Sequence, residues 1–198
     1  ANLGLRSALL YPIELRAPNP RLLTPGQLPA LAGPPEGFVS ERLKSRNVPT
    51  DYDLLERQVR GLLEDERDLI ANAANFSAFV YAELPAINWA GFYFPAESGL
   101  VLGPFGGKPA CTRLPKGQGI CNRAFDEKRT VVVDDVSIAA DHIYCDSASR
   151  SELVVPLLVN GAARGVFDLD SPELARFTAA DQAGIERLVA AFLDSTSM

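Results

Sequence analysis

An α/β fold of the α+β type, with helices flanking a central, largely antiparallel sheet, is what this 198-residue sequence predicts. Three observations carry the expectation: two segments that read as hairpins, a β-branched run between them, and helix-periodic stretches at both ends of residues 51–198. The clearest hairpin is Leu153 to Val159, the turn Asn160-Gly161, and Ala162 to Leu169. Asn-Gly suits a type I′ turn because both central residues need positive φ. The other pairs the aromatic-rich run Ile87 to Phe94, bounded by Pro85 and Pro95, with Leu100-Val101-Leu102. Thr130 to Val133 is the β-branched strand, closed by Asp134-Asp135.

In chain order, residues 1–50 hold eight of the fifteen prolines, including the pair Pro34-Pro35. Proline fixes φ, lacks a donor and pushes its predecessor out of the helical region, so this part reads as an extended N-terminal arm. Leu22, Leu23, Leu28, Leu31, Phe38 and Val39 are more apolar than a solvated linker needs, which predicts that the arm lies against a folded surface. Its scarcity of acidic residues leaves an organellar leader open. Residues 51–198 are expected to form the domain. Asp51 reads as an N-cap, followed by Leu54, Leu55, Val59, Leu62 and Leu63 at helical spacing. A second helix carries Leu69, Ile70, Ala73, Phe76, Phe79 and Val80, with the join near Glu64 to Arg67. Cys111 falls in a strand-like segment from Pro109 to Leu114, and Gly119 to Phe125 opens a helix with Cys121 in its first turn. Thr178 to Leu193 reads as the last helix, with Ile185, Leu188, Val189 and Phe192 on one face.

Composition excludes several functions. The net charge of −6 is moderate and Lys and Arg are scattered, so no electrostatic footprint for nucleic acid exists. No apolar run approaches the ~20 residues that cross a bilayer, which predicts a soluble, cytoplasmic protein with no membrane partner. Three cysteines, Cys111, Cys121 and Cys145, are an odd number that argues against a secreted disulfide framework and for reduced thiols.

The single histidine, His142, leaves little room for triad or metal chemistry. No nucleophile-elbow sequence surrounds Ser147 or Ser149. Cys111, Cys121, His142 and Cys145 are zinc ligand types but lack the short paired spacing of structural zinc sites, and no metal is expected. Phosphate-cradling glycine patterns are absent. Thiol redox chemistry remains. A sulfoxide is a poor electrophile until its oxygen gains a proton, so a thiol reductase also needs a carboxylic acid of raised pKa. Glu152, Asp168 and Asp170 are available, and the last two flank Leu169 on a strand of period two, so they project from one face. The plain alternative is a pair of solvated carboxylates at a strand end.

Several blocks together resemble the GAF-fold free methionine-(R)-sulfoxide reductases. They are Asn88-Trp89-Ala90-Gly91-Phe92-Tyr93, Leu102-Gly103-Pro104-Phe105, Gly117-Gln118-Gly119-Ile120-Cys121, His142-Ile143-Tyr144-Cys145-Asp146, Ser151-Glu152, Pro156-Leu157 and Gly165 to Ser171. The resemblance runs from about Asp51 to the last residue and implies a GAF-like domain. It implies that Cys145 attacks the sulfoxide sulfur, Cys111 resolves the resulting sulfenic acid, and Cys121 is an alternative resolving or relay thiol. It further implies that Glu152 polarises the sulfoxide, and that Trp89, Tyr93, Asp134, Asp168 and Asp170 hold free methionine sulfoxide. The partner it implies is thioredoxin or a similar reductant, with no cofactor; a homodimer is compatible with it. A carboxylate-rich pocket is chemically sensible for a free amino acid, whose ammonium it would pair. The rival readings are a ligand-sensing GAF module without turnover, and a peroxide sensor switched by a Cys111 and Cys145 disulfide. The arm at residues 1–50 departs from the compact family pattern.

Overall fold

The computed structural model describes residues 49–139 and 147–198. The expected arm, apart from its last two residues, and the loop carrying His142 and Cys145 lie outside the described residues.

Helix α1, Tyr52–Leu62, starts where expected: the Asp51 side chain accepts from the Leu54 amide at 2.9 Å, satisfying one of the orphan donors of the first turn. It buries Tyr52, Leu55 and Val59, while Leu54 and Leu62 stay exposed. Helix α2, Leu69–Glu83, is capped by Asp68 and buries Ala73, Phe76 and Val80. Six strands follow: β1 Trp89–Ala96, β2 Gly99–Gly107, β3 Arg113–Pro115, β4 Val131–Val133, β5 Ser151–Val159 and β6 Ala162–Ser171. Between β3 and β4 lies helix α3, Gly119–Glu127, and α4, Ala179–Ser195, follows β6.

The strands form one sheet in the order β3-β2-β1-β6-β5-β4, with every neighbouring pair antiparallel. The predicted hairpin closes through Asn160 and Gly161, at φ of 51° and 76°, as a turn matched to the sheet's twist requires. Two boundaries differ from the sequence expectation. Strand β1 runs through Pro95, because β6 pairs with β1 only as far as Tyr93 and a missing donor is tolerated where a strand has a single neighbour. The segment from Pro109 is not a strand until Arg113, since only Arg113–Pro115 find ladder partners, on Gly99–Val101 of β2. Cys111 therefore sits in irregular chain just ahead of β3.

Period-two alternation sorts the side chains of the central strands onto two faces. Ala90, Phe92, Leu153, Val155, Leu157, Phe167 and Leu169 point to one side, where α1, α2 and α4 cover them. Trp89, Tyr93, Val154 and Val166 point to the other and pack with Ile120, Cys121 and Ala124 of α3. Because both faces are covered, β5 reads as a nearly unbroken apolar run instead of alternating. The α4 end of the first layer is tied by a capping box in which Thr178 and Asp181 bond reciprocally. Asp181 also accepts from the Tyr52 hydroxyl of α1 at 2.7 Å and pairs with Arg176 at 3.1 Å. No helix among the described residues is long and apolar enough to cross a membrane.

Candidate active site

The face covered by α3 opens into a pocket lined by Trp89, Tyr93, Cys121, Glu152, Asp168 and Asp170, together with Lys108, Ser149 and several apolar residues. Strand register assembles its floor. Trp89 of β1 pairs with Asp170 of β6, which pairs with Glu152 of β5, so three residues far apart in the chain share one row. The next row along β6 places Asp168 opposite Gly91.

Gly91 matters for space. A Cβ there would lie 2.5 Å from Cη2 of the Trp89 ring and would also collide with Phe105, so only glycine lets the indole lie flat over the strand. The ring stacks on Tyr93 at 5.8 Å between centroids and on Phe105 at 5.6 Å, and its Nε1 donates to the Lys108 carbonyl at 3.2 Å. The Tyr93 hydroxyl donates to the Cys111 carbonyl at 3.0 Å, tethering the irregular segment before β3 to the aromatic wall. Cys111 packs, partly buried, against the same cluster. It is held in a disulfide, in which the free, buried thiol of Cys121 has no part.

The charged groups are confined. Cys121, in the first turn of α3, hydrogen-bonds the Asp168 carboxyl, which in turn shares a hydrogen bond with Glu152. One ligand atom from each of these three residues lies within 4.8 Å of the other two. Burial foremost, and then the charge of Asp170, push the Asp168 carboxyl well above the usual carboxylate range, against the hydrogen bonds from Cys121, the Leu169 amide and Glu152. Asp168 therefore keeps its carboxylic acid form to higher pH than a solvated carboxylate does. Burial, followed by the charges of Asp168, Glu152 and Asp170, raises the Cys121 thiol well above its ordinary value. A thiol so held is a weak nucleophile, because the thiolate is the reactive form. Oδ1 of Asp168 is buried and finds no hydrogen-bond partner among the described residues, which marks it as an acceptor for a ligand's donor.

Of the residues singled out from the sequence, Trp89, Tyr93, Cys121, Glu152, Asp168 and Asp170 converge on this pocket. Asp134 does not join them: it is exposed just past β4, and its carbonyl accepts from the Ala175 amide at 2.9 Å, a structural bond. The nucleophile expected at Cys145 lies outside the described residues. Lys108 and Ser149 were not legible as pocket residues. Ser149 is weighed in the sequence only as a nucleophile, whereas its hydroxyl accepts from Nδ2 of Asn88 at 3.1 Å at the pocket's rim.

Comparison with known proteins agrees with the fold. Residues 58–193 match the GAF domain model. The chain is 49% identical over 141 residues to Protein YtsP of Bacillus subtilis, spanning 70% of this chain and 86% of that protein. It is 45% identical over 139 residues to the free methionine-R-sulfoxide reductase of Escherichia coli, spanning 70% and 84% of the two chains. The solved free methionine-R-sulfoxide reductase of Neisseria meningitidis, in complex with its substrate, superposes with a TM-score of 0.71 at 39% identity, covering 75% of this chain and 92% of that one. With the family model across most of its length and relatives of this identity along most of theirs, the chain belongs to the GAF-domain family and, within it, to the free methionine-R-sulfoxide reductases.

Proposed function

We propose that the protein reduces free L-methionine-(R)-sulfoxide to methionine at this pocket, with thiols as the electron source. The observation that carries the reading is the convergence of Glu152, Asp168, whose carboxyl is pushed well up by burial, and Asp170 under the wall of Trp89 and Tyr93. Carboxylates pair the ammonium of a free amino acid, a charge that a peptide-bound residue lacks. The aromatic edges suit the thioether and its methyl group.

In the proposed sequence the Cys145 thiolate attacks the sulfoxide sulfur while Glu152 donates a proton to the sulfoxide oxygen. The oxygen passes to Cys145, methionine leaves reduced by two electrons, and Cys145 is oxidised to a sulfenic acid. The Cys111 thiol then attacks that sulfur, releasing water and forming a disulfide. An external dithiol such as thioredoxin reduces the disulfide and restores both thiols; no further cofactor takes part. The disulfide at Cys111 and the burial of Cys121 among carboxylates both support giving the resolving role to Cys111. Family membership supports the R epimer.

The test is consumption of free methionine-R-sulfoxide with thioredoxin or dithiothreitol as reductant, by the wild type and by Cys145→Ser. Turnover by the wild type, lowered about a thousandfold or more in the variant, is expected for loss of a covalent nucleophile. No turnover by the reduced wild type would leave a ligand-sensing module in place of an enzyme.

A further inference from the structure

The sulfur of Cys121 and one carboxylate oxygen each from Glu152 and Asp168 form a triangle with no side above 4.8 Å. The three residues are buried, at 4%, 5% and 6% exposure, yet all line the open pocket, so an ion has a way in. They stand on α3, β5 and β6, regular elements that hold the set together without a loop. A second observation points to a ligand: Oδ1 of Asp168, buried and without a hydrogen-bond partner among the described residues, belongs to the same cluster.

The donor set decides which cation. Calcium and magnesium favour all-oxygen sites, and copper(I) favours several thiolates or thioethers. Zinc takes one thiolate at ~2.3 Å and carboxylate oxygens at ~2.0–2.2 Å, and side-chain shifts of about an ångström close this triangle to tetrahedral spacing. The set shares only Cys121 with the cysteine and histidine residues weighed in the sequence.

We propose that Cys121, Glu152 and Asp168 form a zinc-binding site whose fourth position opens to the pocket, where the metal excludes the pocket's organic ligand. The full-length Cys111→Ser/Cys145→Ser variant tests it, because Cys121 is then the only thiol in the chain. Cobalt(II) titrated into that variant is expected to give a sulfur-to-cobalt charge-transfer band that saturates at one equivalent and is bleached by zinc. Adding Cys121→Ala should abolish the band. Glu152→Gln and Asp168→Asn, each on the same background and checked for fold by circular dichroism, should weaken zinc competition by about tenfold or more. The proposal is overturned by absence of the band, by its survival in Cys121→Ala, or by zinc affinity unchanged in both carboxamide variants. The readout is spectroscopic, so it stands apart from whether methionine sulfoxide is turned over.

Discussion

Asp181 and Asp168 are buried to nearly the same extent, at 7% and 6% exposure, and their surroundings treat them in opposite ways. Asp181, in the helical layer over one face of the sheet, is raised by burial, but Tyr52, the Thr178 amide and hydroxyl and the nearby Arg176 outweigh that and hold it below its ordinary value. Asp168, on the other face, has carboxylates and a thiol for company, keeps one oxygen without a partner among the described residues, and is pushed well up. A buried charge with full pairing supports a fold, whereas one left incompletely paired costs stability and is poised for a ligand. The side of the sheet covered by α1, α2 and α4 thus pairs its buried carboxylate, and the side covered by α3 leaves one short of partners among the described residues.

The largest effect expected from breaking this division is on the carboxylate side. Glu152→Gln should lower kcat/KM by about 10²–10⁴, the range for a lost general acid. Its thermal midpoint should hold or rise, because a buried ionisable group has been neutralised. A fall in midpoint with unchanged kcat/KM would reverse the assignment of the two faces. Next is Phe76→Ala, which removes the ring that contacts Phe92, Phe167 and Phe192 at 5.7, 4.9 and 5.3 Å between centroids. A loss of about 3–5 kcal/mol by denaturant titration is expected, with KM of the folded protein unaltered. Asp181→Ala should cost about 3 kcal/mol, since it strands Arg176 in a buried pair and removes half of the capping box.

The smallest effect is on the slope of stability against pH. For Asp168 the folded state binds the proton more tightly than the unfolded chain, so its contribution is fully present below the unfolded carboxylate range and is lost as pH rises through the raised folded value. For Asp181 the sign is opposite: its contribution is present above the unfolded value and is lost as pH falls through the lowered one. Melting curves of Asp168→Asn from acid to neutral pH should therefore lack that declining contribution, so the variant gains stability relative to the wild type as pH rises. A slope identical to that of the wild type would mean that Asp168 does not hold its proton in the folded state.

Much of the fold was legible because its determinants are local. The Asp51 and Thr178 caps, the Asn160-Gly161 turn and the first-turn position of Cys121 all follow from neighbouring residues. The end of β1 and the start of β3 were not, because both depend on where a partner strand stops. In the site, period two placed Asp168 and Asp170 together, but Glu152 joins them only through the β5 and β6 register. Lys108 and Ser149 each lie three residues from a candidate site residue, Cys111 and Glu152, but no local pattern turns their own side chains toward a pocket.

By itself the sequence determined the class of fold, the strands and helices, the motif resemblance and the set of residue types able to do thiol chemistry. Only the tertiary structure decided that Cys121 is a thiol buried among carboxylates and that Asp134 is exposed and not part of the pocket's lining. The reason is physical. Local pattern sets which face of an element is apolar, but pairing, burial and the state of a proton depend on groups that the chain brings together only when the sheet closes.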